Sequence, residues 1–228
     1  MTRFLTSLTR ASNALRRDTK GLALLEFAFS APILLMMSLG GAELANYVVT
    51  RMRVSQVALH IADNAARIGS GGQLQAKKID EGQINDLLVG ADLQAGELGL
   101  FTNGRVIISS VEPVASPNTN DKYVIRWQRC KGAKTSFRSS YGSAGTTQYT
   151  GGIGPTSRKI TAPDDGVTMF VEVRYQYQPL VKTSLVPSVE IHEIASMVVR
   201  DRRDTSDGTG HPNGVYQLNG VTPSSSTC

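Results

Sequence analysis

The sequence contains few of the residues that define several common protein classes. Only two of its 228 residues are cysteines, Cys130 and Cys228, which excludes a disulfide-dense scaffold and cannot by itself supply the four ligands of a zinc site. Charged residues make up 19% and hydrophobic residues 40%, so the chain is too apolar to be disordered throughout. Its length favours one globular domain with an additional segment.

The motifs of several enzyme classes are also missing. There is no Gly-x-Ser-x-Gly turn, no Gly-x4-Gly-Lys-Ser/Thr loop, and no Gly-x-Gly-x-x-Gly after a strand. His192 begins a sequence like that of zinc peptidases, but Ser196 stands where the second histidine is needed. Three aspartates lack the spacing of a calcium loop: Asp201, Asp204 and Asp207. We therefore predict a protein that is not an enzyme and has no metal or cofactor, with His192 in a structural role and the aspartates in a solvated turn.

One long hydrophobic run stands near the N-terminus. Leu22 to Ala42 contains a single ionisable side chain, Glu26, and as a helix it would be about 30 Å long, enough to cross a bilayer. Residues 1–20 hold five basic residues and one acidic residue, and therefore four of the five net positive charges of the chain. A positive flank stays cytoplasmic, so we expect a single-pass protein of the inner membrane with a periplasmic C-terminal domain and no nucleic-acid partner.

Two simpler interpretations compete with this one. A cleaved signal peptide has an apolar stretch of about 7 to 15 residues and a small-residue cleavage site, and this run is longer, although Ser38, Gly40 and Ala42 supply small residues near its end. An uncleaved signal anchor is the stronger alternative.

The position of Glu26 distinguishes the run from a plain anchor. An ionised carboxylate near the centre of a membrane helix costs about 2.5 kcal/mol or more, so such a residue usually has a partner. If a peptidase cut after Gly21, the chain would begin at Leu22 with a free α-amino group, and Glu26 would be its fifth residue. Ammonium and carboxylate of neighbouring subunits could then pair in the same low-dielectric layer and set the register of an assembly.

This arrangement resembles the class III prepilin signal of type IV pilins and pseudopilins. The wider segment is similar to the TadE-like (TadE/TadG) family of tight-adherence pilus assembly proteins, in which a basic stretch ending in glycine precedes an A-x-x-E-F-A core, a proline and an acidic residue. Leu24 to Ala28, Pro32 and Glu43 occupy those places here, within a stretch that covers about a quarter of the chain. The Asp-x-Ser-x-Ser signature of the von Willebrand A-like domain of longer TadG proteins does not occur, which favours a TadE-sized protein.

The resemblance implies cleavage between Gly21 and Leu22 by a prepilin peptidase, and pairing of subunits through Glu26. It implies other pilins and the pilus assembly machinery as further partners, and a place in the inner membrane with incorporation into an extracellular pilus as an additional outcome.

The remaining pattern predicts a pilin-like α+β fold of a long helix and a four-stranded antiparallel sheet. We expect a basic leader over 1–21, a transmembrane helix continuing as an amphipathic helix over 22–68, and an extracytoplasmic domain over 69–228. A second short helix is expected between Leu74 and Val89. Strands are expected at four stretches: Arg105 to Val114, Lys122 to Arg129, Thr168 to Tyr177, and Glu190 to Arg200.

The third strand has the clearest alternation. Val171, Val173, Tyr175 and Tyr177 share one face, and Glu172, Arg174, Gln176 and Gln178 share the other, which predicts a sheet with one wet face. Residues 131–166 are rich in Gly, Ser and Thr, and we expect them to form a long exposed connection.

The two cysteines have three possible states. A bond between Cys130 and Cys228 would close nearly a hundred residues and would stabilise the domain by about 4 to 5 kcal/mol. An oxidising compartment favours this pairing, and two free thiols or intermolecular bonds are the alternatives.

Two functions follow as hypotheses. The first is a minor pilin or pseudopilin-like protein of a tight-adherence pilus, serving surface attachment. The alternative is an uncleaved, signal-anchored periplasmic binding or scaffold protein that contacts its partner through the Gly-rich connection and the tyrosine face of the third strand.

Overall fold

The computed structural model describes residues 20–72, 74–181, 189–217 and 226–228. The chain divides into two compact units, Met1–Asn46 and Tyr47–Cys228. The described part of the first unit is helical and belongs to helix α1, Lys20–Arg67, which continues into the second unit. The predicted long N-terminal helix is therefore confirmed, and it includes Pro32 without a break in the helix.

Short helices and a small strand pair follow α1 in the second unit. Strand β1 (Ile79–Asp80) leads into α2 (Glu81–Ala95), and a 3-10 turn (Gly96–Leu98) leads into α3 (Leu100–Asn103). The helix expected from Leu74 to Val89 is wrong in its start. Asp80 accepts a hydrogen bond from the backbone N–H of Gln83, whose side chain accepts one from the N–H of Asp80, and this capping box sets the first turn at Glu81.

The main sheet is antiparallel and has five strands in the order β4-β3-β2-β5-β6. The four predicted strands are β2 (Gly104–Pro113), β3 (Lys122–Lys131), β5 (Thr168–Gln176) and β6 (Glu190–Val198). The prediction of four strands is wrong because it missed β4 (Gln148–Thr150), three residues that pair with the start of β3 at the edge of the sheet. A two-residue strand, β7 (Val215–Tyr216), pairs in parallel with β1 outside this sheet.

One face of the sheet packs against the second half of α1 and against α2. Alternate residues of the strands point to this side, and the tyrosine face of β5 is buried here rather than available to a ligand. The helices contribute small and branched side chains that allow close packing. The core contains Val54, Ala58, Ile61, Ala62, Ala65, Ile84, Leu88, Val106, Ile108, Trp127, Val171, Val173 and Tyr175.

The opposite face of the sheet is also covered, so the prediction of a wet face is wrong for the centre of the sheet. Phe170 and Glu172 of β5 are 1% and 0% exposed. Part of the connection over 131–166, expected to be exposed, folds across this face and buries Ile153 and Ala162 in a second cluster with residues of β2, β3 and β5. The polar residues of the alternating pattern therefore face other parts of the chain rather than water.

Cys130 and Cys228 form a disulfide across a sequence separation of 98 residues. The residues before Cys228 are held by hydrogen bonds as well. The N–H of Cys130 donates to the carbonyl of Ser226 at 2.7 Å, and the hydroxyl of Ser226 lies 2.7 Å from Oδ1 of Asn85 in α2. Residues 226–228 are thus fastened to both β3 and α2.

Replacing both cysteines by serine should lower the free energy of unfolding by about 4 to 5 kcal/mol, because the unfolded chain regains the entropy of an open loop. Urea unfolding of the full chain in a non-ionic detergent, followed by the fluorescence of Trp127, would measure this. Reductant should destabilise the wild type to the same extent and leave the double variant unchanged. Equal stability of the oxidised wild type and the variant would contradict the prediction.

Candidate functional site

Gly21, Leu22 and Glu26 lie in the first two turns of α1. Leu22 and Glu26 are four residues apart, so they share a face of the helix with an axial separation of about 6 Å. A Cβ added at Gly21 would meet no atom within 4 Å. Among the described residues, Glu26 has no hydrogen bond or salt bridge. The structure thus leaves all three positions on an open helix surface.

The apolar side chains around Glu26 have no cover in the described structure. The most hydrophobic stretch of 18 residues in α1 has a mean hydropathy of 2.0 and contains no buried residue. By length and composition, α1 can cross a membrane as an anchor or serve as a signal sequence. Eleven large hydrophobic residues of this run each expose more than half of their own surface: Leu22, Leu24, Leu25, Phe27, Phe29, Ile33, Leu34, Leu35, Met36, Met37 and Leu39.

Small residues follow this run on the helix. Gly40 and Gly41 have open space where a Cβ would stand, and Ser38 and Ala42 are exposed beside them. Small side chains allow two membrane helices to approach closely, because packing rather than water exclusion holds such helices together. The segment from Ser38 to Ala42 therefore has the composition of a helix-packing surface.

A polar cluster lies beneath the connection that covers the sheet, and sequence reasoning missed it. The carboxylate of Glu172 accepts hydrogen bonds from the hydroxyl of Ser139 and from the backbone N–H of Ser140 at 3.0 Å. Nε2 of His192 lies 3.2 Å from the same carboxylate, and its ring stacks on Tyr141 at 5.7 Å between centroids.

This cluster does not have the order of a nucleophile-activating triad. The carboxylate stands between the serine and the histidine, whereas a triad places the histidine between the other two. The contacts of Ser139, Ser140 and Tyr141 fix the covering segment to β5 and β6, whereas the contact between Glu172 and His192 joins the two strands. The cluster therefore holds that segment on the sheet. His192 thus has a structural contact in the fold, and the neighbouring Glu193 lies 2.8 Å from Arg51 of α1.

The three aspartates of the suspected calcium loop have separate partners. Asp201 lies 2.6 Å from Nζ of Lys77, which lowers the pKa of its carboxyl. Hydrogen bonds from Ser206 and from the hydroxyl of Tyr216 lower the pKa of Asp204 to about 2. Asp207 accepts from the N–H of Asn213. No group of three or more histidine, cysteine or acidic side chains suited to a metal ion occurs in the part of the chain that the structure describes.

Arg203 connects the end of α1 to the sheet. Its NH2 group donates to the carbonyls of Ala65 and Ile68 at 2.7 and 3.0 Å, and its NH1 group lies 3.3 Å from Sδ of Met169. These carbonyls belong to the last turn and the next residue, where a cation is also favoured by the helix dipole. Burial lowers the pKa of Arg203 to about 10, so the guanidinium remains charged at neutral pH.

Glu112 lies at the end of β2, buried, with Nε of Arg126 at 3.0 Å and the hydroxyl of Ser110 at 3.2 Å. Burial raises the pKa of Glu112, and the nearby arginines Arg126 and Arg203 offset this only in part. Nothing in the alternation of β2 distinguishes this buried carboxylate from a solvated one, because its charged partners, Arg126 of β3 and the more distant Arg203, lie far from it in sequence.

Comparisons with protein-family models, curated proteins and solved structures find no match to this chain. Fold and site define an α+β protein with one exposed, membrane-length apolar helix. The resemblance to TadE-like proteins stays a prediction that depends on the residues quoted for it.

Replacing Glu112 by glutamine should change how stability depends on pH. Because the pKa of Glu112 is raised on folding, its contribution to stability is present below the unfolded value near 4.5 and is lost as pH rises through the folded value. The variant should therefore gain stability relative to the wild type as pH rises from the unfolded value near 4.5 through the raised folded value. Urea unfolding across this range measures the difference. Glu97→Gln, at an exposed carboxylate, is the control, and parallel profiles for both variants would contradict the prediction.

Proposed function

We propose that this chain is a membrane-anchored, minor pilin or pseudopilin-like protein that assists assembly of a tight-adherence pilus and so contributes to surface attachment. The observation that carries the proposal is the first half of α1, a fully exposed apolar helix whose first carboxylate, Glu26, stands five residues after Gly21. The basic leader stays in the cytoplasm, and the sheet domain lies in the periplasm.

The exposed run suits both storage in a membrane and later assembly. A helix satisfies its own backbone hydrogen bonds, so its apolar side chains can face lipid at no polar cost. When subunits join, the same side chains exchange lipid contacts for helix contacts, and the small residues from Ser38 to Ala42 let neighbouring helices approach closely. Assembly then needs no change in the helix itself.

Glu26 sets the axial register between the helices of neighbouring subunits. Cleavage after Gly21 places the new α-amino group of Leu22 one turn from this carboxylate, a separation that the helical geometry of residues 20–26 supports. Within one subunit or between neighbours, pairing of the two charges removes the cost of an isolated carboxylate in lipid. A pairing between neighbours is satisfied only at one axial offset.

The disulfide supports the periplasmic position of the domain. Bonds of this kind persist in oxidising compartments such as the periplasm and are reduced in the cytosol. Cys130 and Cys228 are joined within the second unit, which is also the part that follows the candidate membrane segment.

The alternative, an uncleaved anchor with a periplasmic binding domain, is supported by one observation. A groove of about 560 Å³ lies between the second half of α1 and the end of α2. Arg53, Gln56 and His60 line one side, and Gln94 and Glu97 line the other, so a polar ligand would suit it. This alternative predicts a chain that keeps its leader.

Gly21→Leu should block processing, because a bulky side chain would stand at the cleavage position. Protein recovered from membranes of cells that contain a prepilin peptidase should begin at Leu22 in the wild type and retain the leader in the variant, by N-terminal sequencing and intact mass. Gly41→Leu is the matched control, since neither glycine has an atom within 4 Å of an added Cβ. A wild-type chain that keeps residues 1–21 would favour the uncleaved anchor.

Glu26→Gln should leave the protein in the membrane and processed, yet reduce pilus formation. The neutral amide costs less to insert than a carboxylate and cannot neutralise an ammonium group. Pili per cell and adhesion to a surface are the measurements, with Glu97→Gln, an exposed position of the domain, as the control. A normal number of pili on cells that carry the Glu26→Gln variant would contradict the proposed pairing.

A further inference from the structure

We infer that the domain binds a dianionic oxyanion, such as phosphate or sulfate, between the guanidinium groups of Arg105 and Arg138. We call this place the oxyanion site. Arg105 belongs to β2, and Arg138 belongs to the connection over 131–166. Both residues lie in the second unit, so the oxyanion site is the same in a cleaved and in an uncleaved chain.

Arg105 is buried, yet most of its donor groups have no acceptor. The residue is only 7% exposed. Its NH1 group donates to the carbonyl of Thr135 at 2.6 Å, whereas Nε is buried without a hydrogen-bond partner. The NH2 group, which shares one edge of the guanidinium with Nε, donates to no residue that the structure describes. Because a buried donor without an acceptor costs free energy, an acceptor at this edge would stabilise the domain.

The sheet and the connection place Arg138 beside Arg105. Arg174 of β5 is directly opposite Arg105 in the register of β2 and β5. The NH1 group of Arg174 donates to the carbonyl of Arg138 at 2.5 Å. Residues 135–138 are therefore held at one end by Arg105, through Thr135, and at the other end by Arg174.

No carboxylate neutralises Arg105 or Arg138 in the part of the chain that the structure describes. The acidic residues on this face have other partners: Glu190 lies 2.5 Å from Nε of Arg174, and Glu172 accepts hydrogen bonds from the segment that covers it. Burial and the charge of Arg138 lower the pKa of Arg105, which is the effect of a like charge on a cation. Two positive charges thus lie together without a counter-charge.

Charge and geometry favour a dianion over a carboxylate. The N–H groups on one edge of a guanidinium point in parallel, so the free edge of Arg105 matches two oxygens of one oxyanion. A tetrahedral dianion has further oxygens for Arg138 and balances both positive charges, whereas a single carboxylate balances one. Phosphate and sulfate offer this chemistry as free ions and as groups carried on a polymer.

The charge of Arg138 is not needed to hold the connection in place. The contact with Arg174 uses the backbone carbonyl of Arg138, which any residue at this position would supply. The Arg138 side chain is exposed and makes no hydrogen bond to a described residue. Without an anion its charge only repels that of Arg105, so the wild type gains from this side chain only when the anion is bound.

Thermal unfolding of the full chain in a non-ionic detergent tests the site, with phosphate or sulfate replacing chloride at constant ionic strength. In chloride, Arg138→Gln should melt at or above the temperature of the wild type, because a repulsion is removed. Phosphate should stabilise the folded wild type with a dissociation constant at least about tenfold lower than that of Arg138→Gln. Arg158→Gln, which removes an exposed arginine of the same connection, is the matched control and should respond to phosphate like the wild type.

Dextran sulfate and acetate complete the experiment. If dextran sulfate stabilises the wild type and free phosphate and sulfate do not, and Arg138→Gln loses the effect, the ligand is an oxyanion group carried on a polymer. Equal responses of all three proteins to phosphate would be a general salt effect and would overturn the site. Acetate that stabilises the wild type as much as phosphate does would overturn the preference for a dianion. A loss of stability in Arg138→Gln that no anion changes would make Arg138 a structural residue, which equally contradicts the inference.

Discussion

A single continuous helix has to satisfy two different surroundings, and the remaining structure follows from this constraint. Up to Asn46, α1 presents apolar side chains on all sides, whereas from Tyr47 onward it buries only the stripe that includes Val54, Ile61 and Ala65. The second half of α1 needs a sheet broad enough to cover its buried stripe. Its C-terminal end also has to be held in place. Arg203 supplies that end by donating to the carbonyls that a helix terminus leaves without partners.

The parts of the fold that depend on local pattern could be predicted. The length of the apolar run predicts α1. The alternation of Val171, Val173 and Tyr175 predicts β5, because a repeat of two residues places them on one buried face of a strand. Three residues at β4 carry too short a pattern to stand out, and they are a strand only because β3 offers an open edge. The start of α2 was missed although Asp80 and Gln83 form a capping box that the sequence already contains.

The polar interior could not be predicted, because it depends on partners that are distant in sequence. Glu172 alternates like a solvated residue, yet it is buried under Ser139, whose position is set by the covering connection. Glu112 likewise meets Arg126 from the next strand. The candidate site of Gly21, Leu22 and Glu26 was predicted from its spacing and from its place at the start of the apolar run, and it stays a prediction. A sequence of alternating polar residues gives the face of a strand but does not say what will be placed over it.

The disulfide also determines how a pulling force would travel through the domain. Tension applied at Cys228 passes through the sulfur bridge into Cys130 and along β3 and β2 towards α1, so residues 131–227 carry none of it along their backbone. The segment that covers the sheet, together with β5 and β6, lies within the loop that this disulfide closes. A chain pulled between α1 and Cys228 would therefore extend by the length of residues 68–130 at most, and residues 131–227 would remain a closed loop.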